Sequence, residues 1–364
     1  MPMQLLAAAA MPPRFSISQS EAAAFAKTLC CDLPEQERLL SALYRRTRIR
    51  HRSSALLEES QGQVGHDFFE RRKSAGDRGP TTAARMAKFE RHAGELARRA
   101  CAEALSRSGT ATREVTHLIV VSCTGFYAPG IDYDVVVGLG LRPDVKRVQI
   151  GFMGCHAILN ALGVAGAVVD SDRSARVLIA SVELCSLHFQ YGWDADRVVS
   201  NALFADGAGA LLGAFGEPTE ATDGAWACVS NGSVLVSDSA DAMTWRIGDA
   251  GFEMTLSARV PDLIERHLAD WLKTWLGRQG LALDQIKSWA VHPGGPRILT
   301  ATERALGLSR EALQASREVL GENGNMSSAT MVFLLDAMIQ RRTERPCVAL
   351  GFGPGLTIET ALFL

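Results

Sequence analysis

The same interval recurs at two places in this chain. Thirty-three residues separate Ser122, closing the apolar run Thr116–Ser122 (THLIVVS), from Cys155; thirty-three also separate His292, closing Ile286–His292 (IKSWAVH), from Asn325. Cys155 and Asn325 each follow a glycine, Gly154 and Gly324, and each opens an apolar stretch of helical character, from about Cys155 to Val169 and over Gly324–Gln340. A strand, a fixed interval and a helix start, repeated, predict two copies of one α/β unit, related by a pseudo-twofold that brings the two helix starts together. Further strands are expected at Leu5–Ala10, Val148–Phe152, Arg176–Val182, Ala208–Phe215 and Pro346–Gly351. Gln19–Leu29, Glu35–Tyr44 and Thr81–Arg107 read as amphipathic helices. Strands separated by helices predict sheets covered by helices on both faces. The polar stretch Gly216–Gly224 (GEPTEATDG) is the expected seam, dividing the chain into halves at 1–215 and 216–364.

Composition narrows the function classes. With 364 residues, 47% hydrophobic and 21% charged, the chain is long and apolar enough for a large packed core and unlike a disordered one. Its 38 basic and 40 acidic residues leave a formal charge of −2, which argues against a nucleic-acid coat or a polybasic membrane binder. No uncharged apolar run approaches the roughly 18 residues of a spanning helix. The run Leu5–Ala10 has no preceding Lys or Arg and meets Pro12-Pro13 at once, so it reads as a strand and not as a signal segment. Eight scattered cysteines without a C-x-x-C pair suggest reduced thiols and a cytoplasmic setting, and no Cys/His cluster has zinc spacing.

Chemistry concentrates in three short segments. In Gln149–Ala157 (QIGFMGCHA) a strand feeds a glycine-flanked turn, and Cys155 sits where a buried helix begins. A helix N-terminus favours thiolate over thiol, and flanking glycines let a substrate approach, so Cys155 is a candidate nucleophile as well as a candidate core cysteine. His156, about 100° round the helix, reads as structural. His292 ends a strand before the rigid turn Pro293-Gly294-Gly295-Pro296 and is the candidate partner; His51, His66, His92, His117 and His267 read as ordinary histidines. Asn325, in Gly321–Ala329 (GENGNMSSA), is either a helix N-cap or an amide donor to a developing oxyanion. Nucleophile, base and oxyanion donor make a complete set.

Four motifs in order, GFMGCHA, WAVHPGGPRIL, GNMSSAT and the terminal GFGPGLTIE, resemble the type III polyketide synthases, the chalcone-synthase-like family, and the resemblance runs over almost the whole chain. It implies the thiolase fold, five layers αβαβα built from two duplicated halves, and a homodimer. It implies that Cys155 takes an acyl group from a starter CoA thioester. His292 and Asn325 would hold the malonyl-CoA thioester oxygen during decarboxylation, and His292 would pair with Cys155 as imidazolium and thiolate. CoA thioesters are then substrates, and no metal or organic cofactor is implied.

The same resemblance places gatekeepers at Phe204 and at Met254, where plant members carry a second aromatic. It puts cavity walls at Cys123, Thr124, Cys185, His188, Trp245 and Ser327, and a scaffolding loop at Gly353-Pro354-Gly355. CoA contacts are implied at Arg46 and Arg45, in the basic run Arg45–Arg52, and at Gly294, Gly295 and Arg297; two basic positions of the plant enzymes fall on Leu39 and Ala42 instead. Cys123, Cys185 and Met254 look like bacterial members, which use fatty acyl starters to make alkylpyrones and alkylresorcinols. A tetrahydroxynaphthalene-type enzyme using malonyl-CoA alone is the alternative, with a ketoacyl synthase of fatty-acid initiation behind it and a non-catalytic acyl-binding protein as the reading from another class.

Overall fold

A computed structural model describes residues 3–60, 63–216 and 226–364. The expected seam Gly216–Gly224 lies, beyond its first residue, outside the described residues. Strand β1 (Met3–Met11) comes first, and it contains the run Leu5–Ala10. Two small ladders, β2 (Ser16–Ser18) with β3 (His51–Ser53) and β4 (Glu58–Ser60) with β5 (Gln63–Gly65), accompany helices α1 (Gln19–Cys30) and α2 (Pro34–Arg46). The first half continues through α3 (Thr82–Ser108), β6 (His117–Ser122), α4 (Ile131–Leu139), β7 (Lys146–Gly151), α5 (Ala157–Ser171), β8 (Arg176–Leu184), α6 (Ala195–Leu203) and β9 (Asp206–Phe215). The second half runs β10 (Trp226–Leu235), the hairpin β11 (Met243–Gly248) and β12 (Gly251–Leu256), α7 (Val260–Gly277), β13 (Ser288–Val291), α8 (Pro296–Leu306), α9 (Gln314–Asn323), α10 (Ala329–Gln340), β14 (Cys347–Gly353) and β15 (Thr357–Phe363).

Local chemistry explains where the elements begin and end. A reciprocal capping box opens α1: the Ser18 side chain accepts from the Glu21 N–H, and the Glu21 carboxylate accepts from the Ser18 N–H. Thr81 caps α3, which stops at Gly109 in the left-handed conformation (φ 68°). β6 is apolar from Leu118 to Val121 because it is parallel to both neighbours and buried on both faces.

Among the described residues nine strands share one sheet, in the order β13-β14-β15-β10-β1-β9-β8-β6-β7. Reading outward from the middle, β1, β9, β8 and β6 run antiparallel, antiparallel, then parallel. On the other side β10, β15, β14 and β13 repeat the same senses in the same order. The two half-sheets meet where Met3–Leu5 of β1 pair antiparallel with Trp226–Cys228 of β10. The duplication implied by the 33-residue interval is therefore present in the strand order itself.

Side-chain alternation builds the layers. Leu118 and Val120 of β6 pack in one core with α3 and α4, whereas Ile119 and Val121 point the other way into a core shared with α5 and α10. From the second half, Ala349 of β14 enters that same central core, and Val348 and Leu350 face a third core with α7 and α8. Helix, sheet, paired central helices, sheet, helix is the expected five-layered αβαβα arrangement. Its consequence for function is positional: the starts of α5 and α10 lie in the middle of the molecule.

Candidate active site

Three separated segments converge on these two helix starts. Cys155 stands two residues before α5, in a turn where Gly154 has φ +90°. A Cβ on Gly154 would fall 2.4 Å from Pro354 Cδ, so only glycine lets the Gly353–Gly355 loop close on the turn. The Gly154 N–H donates to Cys123 Sγ at 3.0 Å. His292 follows β13, its N–H donating to the Leu350 carbonyl at 2.8 Å. Asn325 forms a parallel bridge with Phe204: its N–H donates to the Leu203 carbonyl, and its carbonyl accepts from the Ala205 N–H, both at 2.9 Å. The cap of α10 is Ser328, not Asn325. That frees the Asn325 amide, whose Oδ1 accepts from the Ser327 N–H at 2.9 Å and whose Nδ2 donates toward the Gly294 carbonyl at 3.4 Å.

Cys155, His292 and Asn325 line one cavity of about 390 Å³, together with Phe204, Met254 and Gly294. Cys155 also lines a second cavity of about 1170 Å³, open to solvent, whose walls include Cys123, Thr124, Cys185, His188, Trp245, Ser327 and Pro354. Phe204 and Met254 border both spaces and thus stand between them. Gly353 and Gly355 line neither but hold the wall. A Cβ on Gly353 would meet the His156 ring at 2.1 Å, and the Gly355 N–H donates to the Met243 carbonyl at 3.1 Å. His156 is buried, its Nδ1 hydrogen-bonded with Asn160 Oδ1 at 2.8 Å, as befits a structural residue.

The wall of the larger cavity is fixed by polar groups. His188 donates from Nε2 to the Thr124 carbonyl (2.7 Å) and accepts at Nδ1 from the Phe252 N–H (2.9 Å), so its neutral tautomer is set at both ends. It stacks on Phe252 at 4.2 Å. Trp245 Nε1 donates to the Cys123 carbonyl at 2.8 Å. Behind them Glu183, fully buried, accepts from the Cys123 N–H (2.9 Å), from Thr124 Oγ1 (2.8 Å) and from the Ser328 hydroxyl. Nothing in the sequence singled out Glu183, because one carboxylate inside an apolar strand carries no motif.

Burial dominates the electrostatics of Cys155 and His292. Burial pushes the Cys155 thiol up to about 12, against hydrogen bonds from Ser327 and Asn325 that favour the thiolate, and the Glu183 charge adds to the rise. Burial brings His292 down to about 3, and among the described residues neither of its ring nitrogens has a hydrogen-bond partner. A dry site penalises each charge taken singly. Cys123 and Cys185 are likewise held well above the ordinary thiol range by burial.

The expected CoA contacts are scattered. Gly294 lines the smaller cavity, while Gly295 caps α8 and packs on Leu203. Arg45 and Arg46 are exposed on the last turn of α2, outside both cavities, and Arg297 is exposed and reaches the Ala258 carbonyl at 3.3 Å. From the same basic run, Arg52 lines the larger cavity instead, donating to the carbonyls of Asn201 (2.7 Å) and Phe204 (2.9 Å). His66, read as ordinary, also lines the larger cavity, with Phe25, Phe69 and Phe189.

This layering matches solved structures closely. Superposition on PKS-I from the brown alga Ectocarpus siliculosus gives a TM-score of 0.93 at 30% identity, covering 100% of this chain and 98% of that one. The C-terminal type III polyketide synthase domain of Steely1, a type I/III hybrid from Dictyostelium, gives 0.87 at 23% identity over 100% and 99%, and shows the shared thiolase-type fold. In sequence, the models for the N-terminal and C-terminal domains of chalcone and stilbene synthases match residues 2–216 and 228–364. The alpha-pyrone synthesis polyketide synthase-like Pks18 of Mycobacterium tuberculosis is 33% identical over 356 residues, covering 96% of this chain and 88% of that protein. The chain belongs to the chalcone and stilbene synthase family, the type III polyketide synthases, and is an enzyme of that family. Among the described residues no helix is long and apolar enough to cross a membrane.

The buried neutral imidazoles set an acid limb of stability. Because His188 and His292 are held near 3 when folded, against an ordinary value of 6.5, the unfolded chain binds more protons below pH 6.5. Their contribution is complete above pH 6.5 and is lost progressively as pH falls toward 3. Each costs about tenfold in the folding constant per pH unit in that window. Urea titrations from pH 7 to 5 should show wild-type stability falling more steeply than that of His292→Gln; parallel slopes would refute the assignment.

Proposed function

We propose that this chain condenses malonyl-CoA iteratively, with loss of carbon dioxide, onto a fatty acyl-CoA starter and cyclises the product to an alkylpyrone or alkylresorcinol. The observation that carries the reading is the cavity shared by Cys155, His292 and Asn325, parted from a larger, mostly apolar cavity by Phe204 and Met254. The half 1–215 then supplies the nucleophile and the half 216–364 the two donors. The relative Pks18, described as serving alpha-pyrone synthesis, supports the pyrone outcome. The mostly apolar lining of the larger cavity favours an acyl starter over malonyl-CoA alone.

The resting protonation states suit such a cycle. As Cys155 attacks the starter thioester, its proton passes to an unpartnered nitrogen of His292 and then to the departing CoA sulfur, leaving an acyl-cysteine and free CoA thiol. Neutral His292 and the Asn325 amide next donate to the malonyl thioester oxygen. The carbon–carbon bond to carbon dioxide breaks, and its electron pair becomes the enolate held by these two donors. Attack of the enolate on the acyl carbonyl expels the Cys155 sulfur as thiolate, which takes up a proton from solvent to restore the thiol, and gives a β-ketoacyl-CoA. Each preorganised donor is worth about 3 kcal/mol in a dry site. The driving force is decarboxylation, so this reading calls for no metal or organic cofactor.

Product mass spectrometry with malonyl-CoA and acetyl-, hexanoyl- or palmitoyl-CoA is the test, read beside carbon dioxide release. The longest starter should turn over best. Cys155→Ala should still release carbon dioxide but form no condensation product, while His292→Ala and Asn325→Ala should each lose about 100- to 1000-fold in both. Condensation surviving in Cys155→Ala would refute the roles.

A homodimer fits the sheet's two ends. At one end β13 is buried along its whole length, whereas at the other β7 is largely exposed. β7 carries exposed Val148, exposed Phe152 and Met153 follow it, and α4, tied to β7 by the Arg147–Asp132 ion pair, exposes Val137 and Tyr133. An open strand edge with apolar neighbours favours a second copy of the same surface. Sedimentation should report a dimer for the wild type and a shift toward monomer for a Val137→Lys, Val148→Lys double variant; a wild-type monomer would refute it. The eight free cysteines fit a reducing, cytoplasmic setting.

A further inference from the structure

Where the chain leaves β8, three consecutive carbonyls, those of Leu187, His188 and Phe189, are each bonded by a buried side chain. Arg85 of α3, fully buried, donates from Nη1 to the Leu187 carbonyl at 2.6 Å and to the Phe189 carbonyl at 2.8 Å, and from Nε to the Pro80 carbonyl at 2.9 Å. Gln190, also buried, donates to the His188 carbonyl at 3.1 Å and, across the fold, to the Phe252 carbonyl at 3.1 Å. A carbonyl stripped of its partner inside the protein carries its full desolvation cost, so these two side chains fix the course of the turn.

Arg85 is costly to keep. Its guanidinium has no carboxylate partner among the described residues, Nη2 is unpaired, and the charge rests on carbonyl dipoles and on the Phe69 face at 5.3 Å. It also packs on the β11–β12 hairpin, since a Cβ on Gly251 would fall 2.9 Å from Nη1. Three residues earlier on α3, Thr82 Oγ1 accepts from the Gly251 N–H at 2.9 Å. The start of α3 thus grips the turn after β8 and the hairpin at once. Between the two gripped carbonyls stands His188, whose ring stacks on Phe252 at 4.2 Å and meets Trp245 edge-on at 5.5 Å. All three rings line the larger cavity.

We infer that Arg85, seconded by Gln190, is a positioning residue: it sets the His188–Phe252 wall against which the extended chain lies, and so decides how that chain is folded and closed. The identity of the chain rests on the condensing-enzyme reading. Arg85 bonds to no residue lining the smaller cavity, where Cys155, His292 and Asn325 meet, so loading and decarboxylation are separable from the fate of the extended chain. Lysine in its place keeps a charge but lacks the rigid fork that spans two carbonyls.

Mass spectrometry reads both halves of the test. Palmitoyl-CoA alone reports loading of Cys155, and palmitoyl-CoA with malonyl-CoA reports the partition among products of different malonyl count. Arg85→Lys should load at the wild-type rate while its product partition shifts about tenfold, the scale of a small displacement of a positioning wall. An unchanged partition, or loading and total product falling together at constant partition, would overturn the role; the second outcome marks a purely structural residue. Should Arg85→Lys not fold, Gln190→Met must show the same split between loading and partition. A readout free of substrate is the proton on His188 Nε2, identified by its loss from the NMR spectrum of His188→Gln. Its exchange with solvent should quicken about tenfold in Arg85→Lys, as expected for losing one charge-assisted bond, and unchanged exchange would also overturn the role. The two readings fail separately. Faster exchange in a protein that makes no polyketide from any starter would sink the condensing-enzyme reading alone. Polyketide formation with partition and exchange unaltered in the variants would sink the Arg85 role alone.

Discussion

The site exists because the two halves of the chain grip each other through a short buried polar seam at the ends of β8 and α6 and the start of α10. Asn325 exchanges two backbone hydrogen bonds with the strand-like turn around Phe204. A few residues on, the Ser328 hydroxyl bonds both to Ser181 and to the buried carboxylate of Glu183, which in turn holds Cys123 and Thr124. Cys123 then carries the Gly154 N–H, next to Cys155. From Asn325 to Cys155 there is thus a continuous path of bonds crossing the pseudo-twofold. Buried polar networks of this kind cost stability unless every member is satisfied, and satisfied they specify one arrangement.

The dryness that makes the seam strong also sets the chemistry. Hydrogen bonds from Ser327 and Asn325 favour a thiolate at Cys155, yet burial and the Glu183 charge outweigh them, and His292 is kept neutral by burial. In the cycle proposed above, proton transfer to His292 at the moment of attack spares the apolar space a stored ion pair.

Much of this was legible in the sequence because it rests on local features. The apolar runs at Thr116–Ser122 and Arg176–Val182 are strands buried on both faces, and such runs stand out. The 33-residue interval is the same in both halves although its contents differ, α4 and β7 lying between β6 and α5 but α8 and α9 between β13 and α10. Gly154 was visible as a glycine, but its reason, the Pro354 ring 2.4 Å from where a Cβ would be, is a contact across the molecule. Asn325 looked like a helix cap. Ser327 in the left-handed region (φ 48°) delays α10, moves the cap to Ser328 and leaves the amide free. His66, Phe25 and Phe69 were illegible as a group, since nothing local tells a ring in a wall from a ring in a core. The same holds for Arg52, the member of its basic run that turns inward.

The central claim is that Cys155 alone among eight cysteines carries the acyl group, activated by His292. The direct measurement is intact-protein and peptide mass spectrometry after incubation with palmitoyl-CoA in the absence of malonyl-CoA. The account expects a single palmitoyl adduct, labile to hydroxylamine, on the peptide containing Cys155, formed far more slowly in His292→Ala. An adduct on Cys123 or Cys185 instead, or an unchanged rate in His292→Ala, would contradict it.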